Sequence, residues 1–171
     1  MTENQLPVLR VPGNPSGVFE VAVQTAVEDV IVAYASGGIT IETEADLQGH
    51  LFARLVALLP GSPLPLHACR SIGTPREKPD LVIGDKEIIV ELKVEADYPG
   101  VSKLVVSPEE VWKDLQRLNR YVREGIVRSG YFLMLDEDGS HARRSEAKGL
   151  WREAKRADRK ASWLYLKFPS T

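Results

Sequence analysis

Residues 78–93 limit what this chain can fold into more tightly than any other segment. Two short β-prone runs flank Gly84-Asp85-Lys86-Glu87, and the second run alternates, with Ile88, Val90 and Leu92 on one face and Ile89, Glu91 and Lys93 on the other. With Asp85-Lys86 as the central turn residues, position 80 stands opposite position 91, where paired Cβ atoms lie about 4.5–5.5 Å apart. With Gly84-Asp85 as a type II′ turn, position 80 slides to Ile89. A slip of two residues preserves parity, so Asp80, Glu91 and Lys93 share a face in either register.

Two carboxylates at that separation repel, and each raises the other's pKa unless a cation lies between them. A divalent ion meets that need. Mg²⁺ prefers oxygen ligands, keeps several waters and is commonly held by one or two carboxylates plus a substrate phosphate. Lys93, two residues beyond Glu91 on the same face, supplies a point charge for an attacking water or a phosphate. The combination is that of a metal-dependent phosphodiesterase site.

Pro79-Asp80, ten further residues, then Glu91-Leu92-Lys93 resembles the PD-(D/E)xK signature of the restriction-endonuclease-like nuclease superfamily. The surrounding pattern agrees in order. A helix is expected over 18–35, with Phe19, Val23, Val27, Val30, Ile31 and Tyr34 near helical spacing before Gly37-Gly38. A second is expected over 44–59, with Thr43 as N-cap and Leu47, Leu51, Leu55, Leu58 and Leu59 as its buried face. A strand over 66–72 precedes the hairpin. Ser107-Pro108-Glu109-Glu110 is a helix start with a capping box, that helix running to about Glu124. Residues 131–135 are expected to form a buried apolar strand, 143–158 a further helix and 163–168 a last strand.

From the second helix onward this order resembles the superfamily's αβββαβ core. The expected fold class is therefore α/β (α+β), a mixed sheet flanked by helices. Residues 1–16, with Pro7, Pro12, Gly13 and Pro15, read as an irregular arm, and 17–171 as one nuclease-like domain with its core at about 43–136.

The resemblance also implies site residues. Asp80, Glu91 and Glu44 are the expected metal-holding acids, the Leu92 carbonyl adds a ligand, and Lys93 orients water or stabilises charge. Glu44 opens a Glu-x-x-Leu-Gln stretch like that of some branches, with Glu42 and Asp46 competing for its role; its other reading is an acid favoured by the helix N-terminus. Gln48 lies one turn on, facing the same way, placed to hydrogen-bond substrate or else simply solvated. Asp114-Leu115-x-Arg117-Leu118 resembles a segment of several branches, in which Asp114 and Arg117 buttress the site or touch phosphate; a solvated ion-paired face is the alternative. His50, His67, His141 and Cys69 read as structural or surface residues, with Cys69 in a buried strand.

The chain has a formal charge of −2, without the strong basic excess of a non-specific nucleic-acid binder. Arg144, Lys148, Arg152, Lys155 and Arg159 recur at three- and four-residue intervals, which on the expected 143–158 helix makes a stripe able to track a phosphate backbone, or else a solubilising face. A single cysteine excludes disulfides and cysteine zinc sites, and there is neither a signal-peptide pattern nor an apolar run long enough for a membrane span. A cytoplasmic protein is expected. The function expected from the whole is Mg²⁺- or Mn²⁺-dependent hydrolysis of phosphodiester bonds, in DNA rather than RNA, with a homodimer needed to cut both strands of a duplex. The alternative is a nuclease-fold module that binds nucleic acid or a protein without chemistry.

Overall fold

Six strands make a single mixed sheet in the order β1-β2-β3-β4-β6-β5, with helices on both faces. The computed structural model describes residues 17–59, 61, 64–72, 77–97, 104–144, 150–155 and 160–169. In chain order the elements are α1 (Val18–Ala35), α2 (Glu44–Leu58), β1 (Leu66–Ala68), β2 (Leu81–Ile83), β3 (Ile88–Glu95), α3 (Pro108–Arg123), β4 (Ser129–Asp136), α4 (Ser140–Arg144), β5 (Trp151–Lys155) and β6 (Lys160–Pro169). β3 and β4 pair in parallel across the α3 crossover, and every other neighbouring pair is antiparallel.

The hairpin adopts the first of the two expected registers. Leu81 pairs with Val90, Val82 with Ile89 and Ile83 with Ile88, which leaves Asp85-Lys86 at the centre of the turn and brings position 80 opposite Glu91. Lys86 takes a left-handed φ of 62° in this turn. Gly84 is also left-handed, at 69°, and a Cβ there would meet the Phe19 ring at 3.1 Å, so α1 packs directly over the turn.

The period of two sorts the core. Leu81, Ile83, Ile88, Val90, Leu92 and Val94 join α1 and α2 in one cluster, through Val23, Val27, Val30, Tyr34, Leu47, Leu51 and Leu55. Val82, Ile89, Phe132 and Met134 join Leu115, Leu118 and Val122 of α3 in the other. Both faces of the central strands are thus covered. The Glu91/Lys93 face is no solvent-facing stripe.

Helix starts follow their caps. Thr43 and Asp46 form a full capping box on α2, and Ser107 and Glu110 form one on α3, with Pro108 in the first turn. The box fixes where Glu44 begins its helix. It also occupies Asp46, whose Oδ2 accepts from the backbone N–H groups of Glu42 and Thr43, so this acid serves the cap.

The C-terminal region differs from expectation. The helix expected over 143–158 is replaced by the five-residue α4 and the strand β5, which pairs antiparallel with β6 from Trp151↔Leu164 to Lys155↔Lys160. β6 is ten residues long and pairs with β4 on one side. Its other edge takes β5, and this pairing overrides the helical propensity of a segment rich in Ala, Arg, Lys and Glu. The basic stripe goes with the helix: Arg144 ends α4, Arg152 and Lys155 are in β5, and Lys148 and Arg159 lie outside the described residues. β1 is shorter than the expected 66–72 strand, because Cys69 turns to a φ of 50°, and Cys69 is exposed, not buried. Among the described residues no helix is long and apolar enough to cross a membrane.

Candidate functional site

β2 begins at Leu81 whereas β3 runs on to Glu95, so past Val90 the β2-side edge of β3 has no strand partner in the β2–β3 ladder. Asp80 fills the first gap with its side chain. Its Oδ2 accepts the Leu92 N–H at 2.7 Å, while its carbonyl accepts the Cys69 N–H at 3.1 Å and Gln48 Nε2 at 2.8 Å. Gln48 Nε2 also lies 3.7 Å from Cys69 Sγ. Gln48 therefore orients the main chain at Asp80, a supporting role instead of a solvated one.

Glu91 and Lys93 point from β3 toward α3, whose Asp114 and Arg117 meet them. Arg117 donates to Glu91 Oε1 through Nε at 3.1 Å and Nη2 at 2.8 Å, and the same Nη2 lies 2.7 Å from Asp114 Oδ1. Lys93 Nζ sits between two acids, 3.0 Å from Glu44 Oε2 and 3.1 Å from Asp114 Oδ2. The structure thus brings together all of Glu44, Gln48, Asp80, Glu91, Lys93, Asp114 and Arg117. Within this group Glu44 shares with Asp114 the neutralisation of Lys93.

The charge balance is lopsided. Four carboxylates, Glu44, Asp80, Glu91 and Asp114, face two cations, Lys93 and Arg117, a formal surplus of two negative charges when all are ionised. Burial pushes Glu91 up to about 8, opposed by Arg117 and reinforced by the charge of Asp80. Burial likewise pushes Asp80 up to about 6, with the Leu92 N–H opposing and Glu44 reinforcing. Lys93 is lowered by burial, but Asp114 and Glu44 outweigh this and hold its ammonium above the ordinary value.

Two oxygens are left open. Among the described residues no donor reaches Asp80 Oδ1 or Glu91 Oε2, although Glu91 is only 2% exposed. Among the same residues no three His, Cys, Asp or Glu side chains form a ready-made metal cage. A pair of open carboxylate oxygens beside a negative surplus nonetheless fits a hard divalent cation that completes its shell with water and phosphate oxygens.

A further acid went unrecognised in the sequence. Glu95, 3% exposed, accepts the N–H groups of Val105 at 2.8 Å and Val106 at 2.7 Å, and His141 Nε2 lies 3.4 Å from it and 3.0 Å from the Val106 carbonyl. This anchors the chain just before α3, and hence Asp114 and Arg117. Its signal was the continuation of the same alternation, Glu91, Lys93, Glu95. In comparisons with known proteins, no family model, curated protein or solved structure matches this chain.

Proposed function

We propose that this protein is a divalent-metal-dependent nuclease that hydrolyses phosphodiester bonds in DNA. The observation that carries the reading is the pairing of Asp80 and Glu91 across the hairpin, each with one open oxygen, beside Lys93 held at a fixed place by Glu44 and Asp114. The order helix, three strands, helix, strand from α2 to β4 supports the resemblance to the PD-(D/E)xK nucleases. Asp80 and Glu91 would hold Mg²⁺ or Mn²⁺, with the Leu92 carbonyl and Glu44 as further oxygen donors. The ion supplies Lewis acidity and a bound water of lowered pKa.

The chain's own groups supply the rest. Lys93, a buried ammonium kept charged by two acids, stabilises negative charge developing on the phosphate or orients the water. Asp114 orients both cations of the site. A cut through both strands would require a second copy of the chain. The test is incubation with supercoiled plasmid, single-stranded DNA and RNA in Mg²⁺ or Mn²⁺, with EDTA as control. DNA cleavage that EDTA abolishes is the expected result; cleavage of RNA alone would reassign the substrate, and no cleavage would move the protein to a binding role.

A further inference from the structure

The buried acid of the site and the partly exposed guanidinium beside it are unequal partners. Glu91 has a side chain 3% exposed and that of Arg117 is 30% exposed, so the guanidinium side chain reaches solvent where the acid does not. Both of its contacts to Glu91 fall on one oxygen, Oε1, and they leave Oε2 open. Asp114 Oδ1 holds the same Nη2 at 2.7 Å, an anchor that does not depend on Glu91. Lys93, likewise held by two acids, is less exposed, at 16%.

From this geometry we propose that Arg117 and a divalent cation are alternative counter-ions of Glu91, and that their exchange frees the guanidinium, still tethered by Asp114, to receive the scissile phosphate. The proposal rests on the nuclease reading above. A guanidinium and a divalent ion on one carboxylate repel each other, so cation binding weakens the Arg117–Glu91 contact. Arg117 loses a partner at the moment when phosphate, an anion with matching fork geometry, arrives. Arg117 thus opposes cation binding and favours substrate binding, two effects of opposite sign from one residue. A merely structural arginine on Glu91 would oppose the cation as well, but would not favour substrate binding.

The opposite signs give the test. Mn²⁺ is titrated calorimetrically, without DNA, into wild type and Arg117→Gln, with thermal unfolding as a check on folding. Arg117→Gln is expected to bind Mn²⁺ roughly tenfold tighter, the lower end of the one to three decades by which a neighbouring charge shifts an ionic equilibrium. The same variant is expected to cleave DNA at least about 100-fold more slowly. Equal or weaker Mn²⁺ binding by the folded variant overturns the exchange and leaves the nuclease reading standing. Failure of wild type to bind Mn²⁺ overturns both. A measurement on wild type alone decides the matter if the variant does not fold: in arginine-selective ¹⁵N NMR the Arg117 Nε–H, bonded to Glu91, is expected to lose protection from hydrogen exchange on saturation with Mg²⁺, and unchanged protection overturns the proposal.

Discussion

Asp80 Oδ2 accepts the main-chain N–H of Leu92 at 2.7 Å. The side chain thereby takes the place of the next backbone acceptor on β2, just where that strand ends, and fixes the carboxylate beside Glu91. One bond joins the fold to the chemistry. The residue that closes the sheet edge is the one proposed to hold the metal.

Asp80→Asn is expected to separate stability from activity. The amide oxygen can still accept the Leu92 N–H, while burial, which pushes the Asp80 carboxyl up to about 6, no longer acts on a charge. At pH 7 the variant should be as stable as wild type or more stable by on the order of 1 kcal/mol. It should not cleave DNA at all. Cleavage at wild-type rate would remove Asp80 from the site.

Lys93→Ala is expected to lower kcat by about 100-fold or more while Mn²⁺ affinity changes much less. The ammonium contacts Glu44 and Asp114, not the two open oxygens of the acid pair. Parallel kinetics and calorimetry check this, and an unchanged kcat would contradict the role.

Legibility in the sequence followed the range of the interaction that decides each element. The hairpin was readable because its turn and its alternation are local, as were the starts of α2 and α3, each fixed by a residue and its partner three positions on. The burial of Glu91 depends on α3, whose start was local but whose packing through Leu115, Leu118 and Val122 on that face of the sheet was not. The strand β5 shows the converse. Residues 151–155 favour a helix locally, and only the free edge of β6 makes them a strand. The approach of Arg117 to Glu91 likewise joins two elements 26 residues apart, which no local spacing encodes.

Away from the site, Glu20 of α1 binds two groups of the sheet, accepting from Ser129 Oγ at 2.9 Å and Lys167 Nζ at 2.9 Å. Both ions of the pair are largely buried, at 6% and 14% side-chain exposure. Glu20→Ala deprives Lys167 of its carboxylate in a buried place and is expected to cost about 3 kcal/mol. The double substitution Glu20→Gln, Lys167→Met should recover much of that loss. Chemical denaturation of wild type and the two variants measures it, and a loss below about 1 kcal/mol in Glu20→Ala would contradict the buried pair's importance.

Asp136 carries a pH dependence of definite sign. It is fully buried, and burial pushes its carboxyl up to about 6 from 3.8, with the Ala142 N–H opposing and the nearby Asp138 adding to the rise. His141, also buried, faces it with an opposing charge effect. The folded protein therefore holds the proton more tightly than the unfolded chain. Its stabilising share is present below about pH 4 and is lost as pH rises through 6. Asp136→Asn, which keeps an acceptor for Ala142, should gain on wild type between pH 4 and pH 7 in thermal unfolding. An advantage that is constant with pH would contradict the sign.

The acid pair as the seat of metal-dependent DNA hydrolysis is tested most directly by following supercoiled plasmid with wild type and Asp80→Asn side by side, in Mg²⁺ and in EDTA. The account predicts nicked or linear DNA from wild type in Mg²⁺ alone, and none from the folded variant under either condition. Equal cleavage by both proteins, or cleavage by wild type that persists in EDTA, would contradict it.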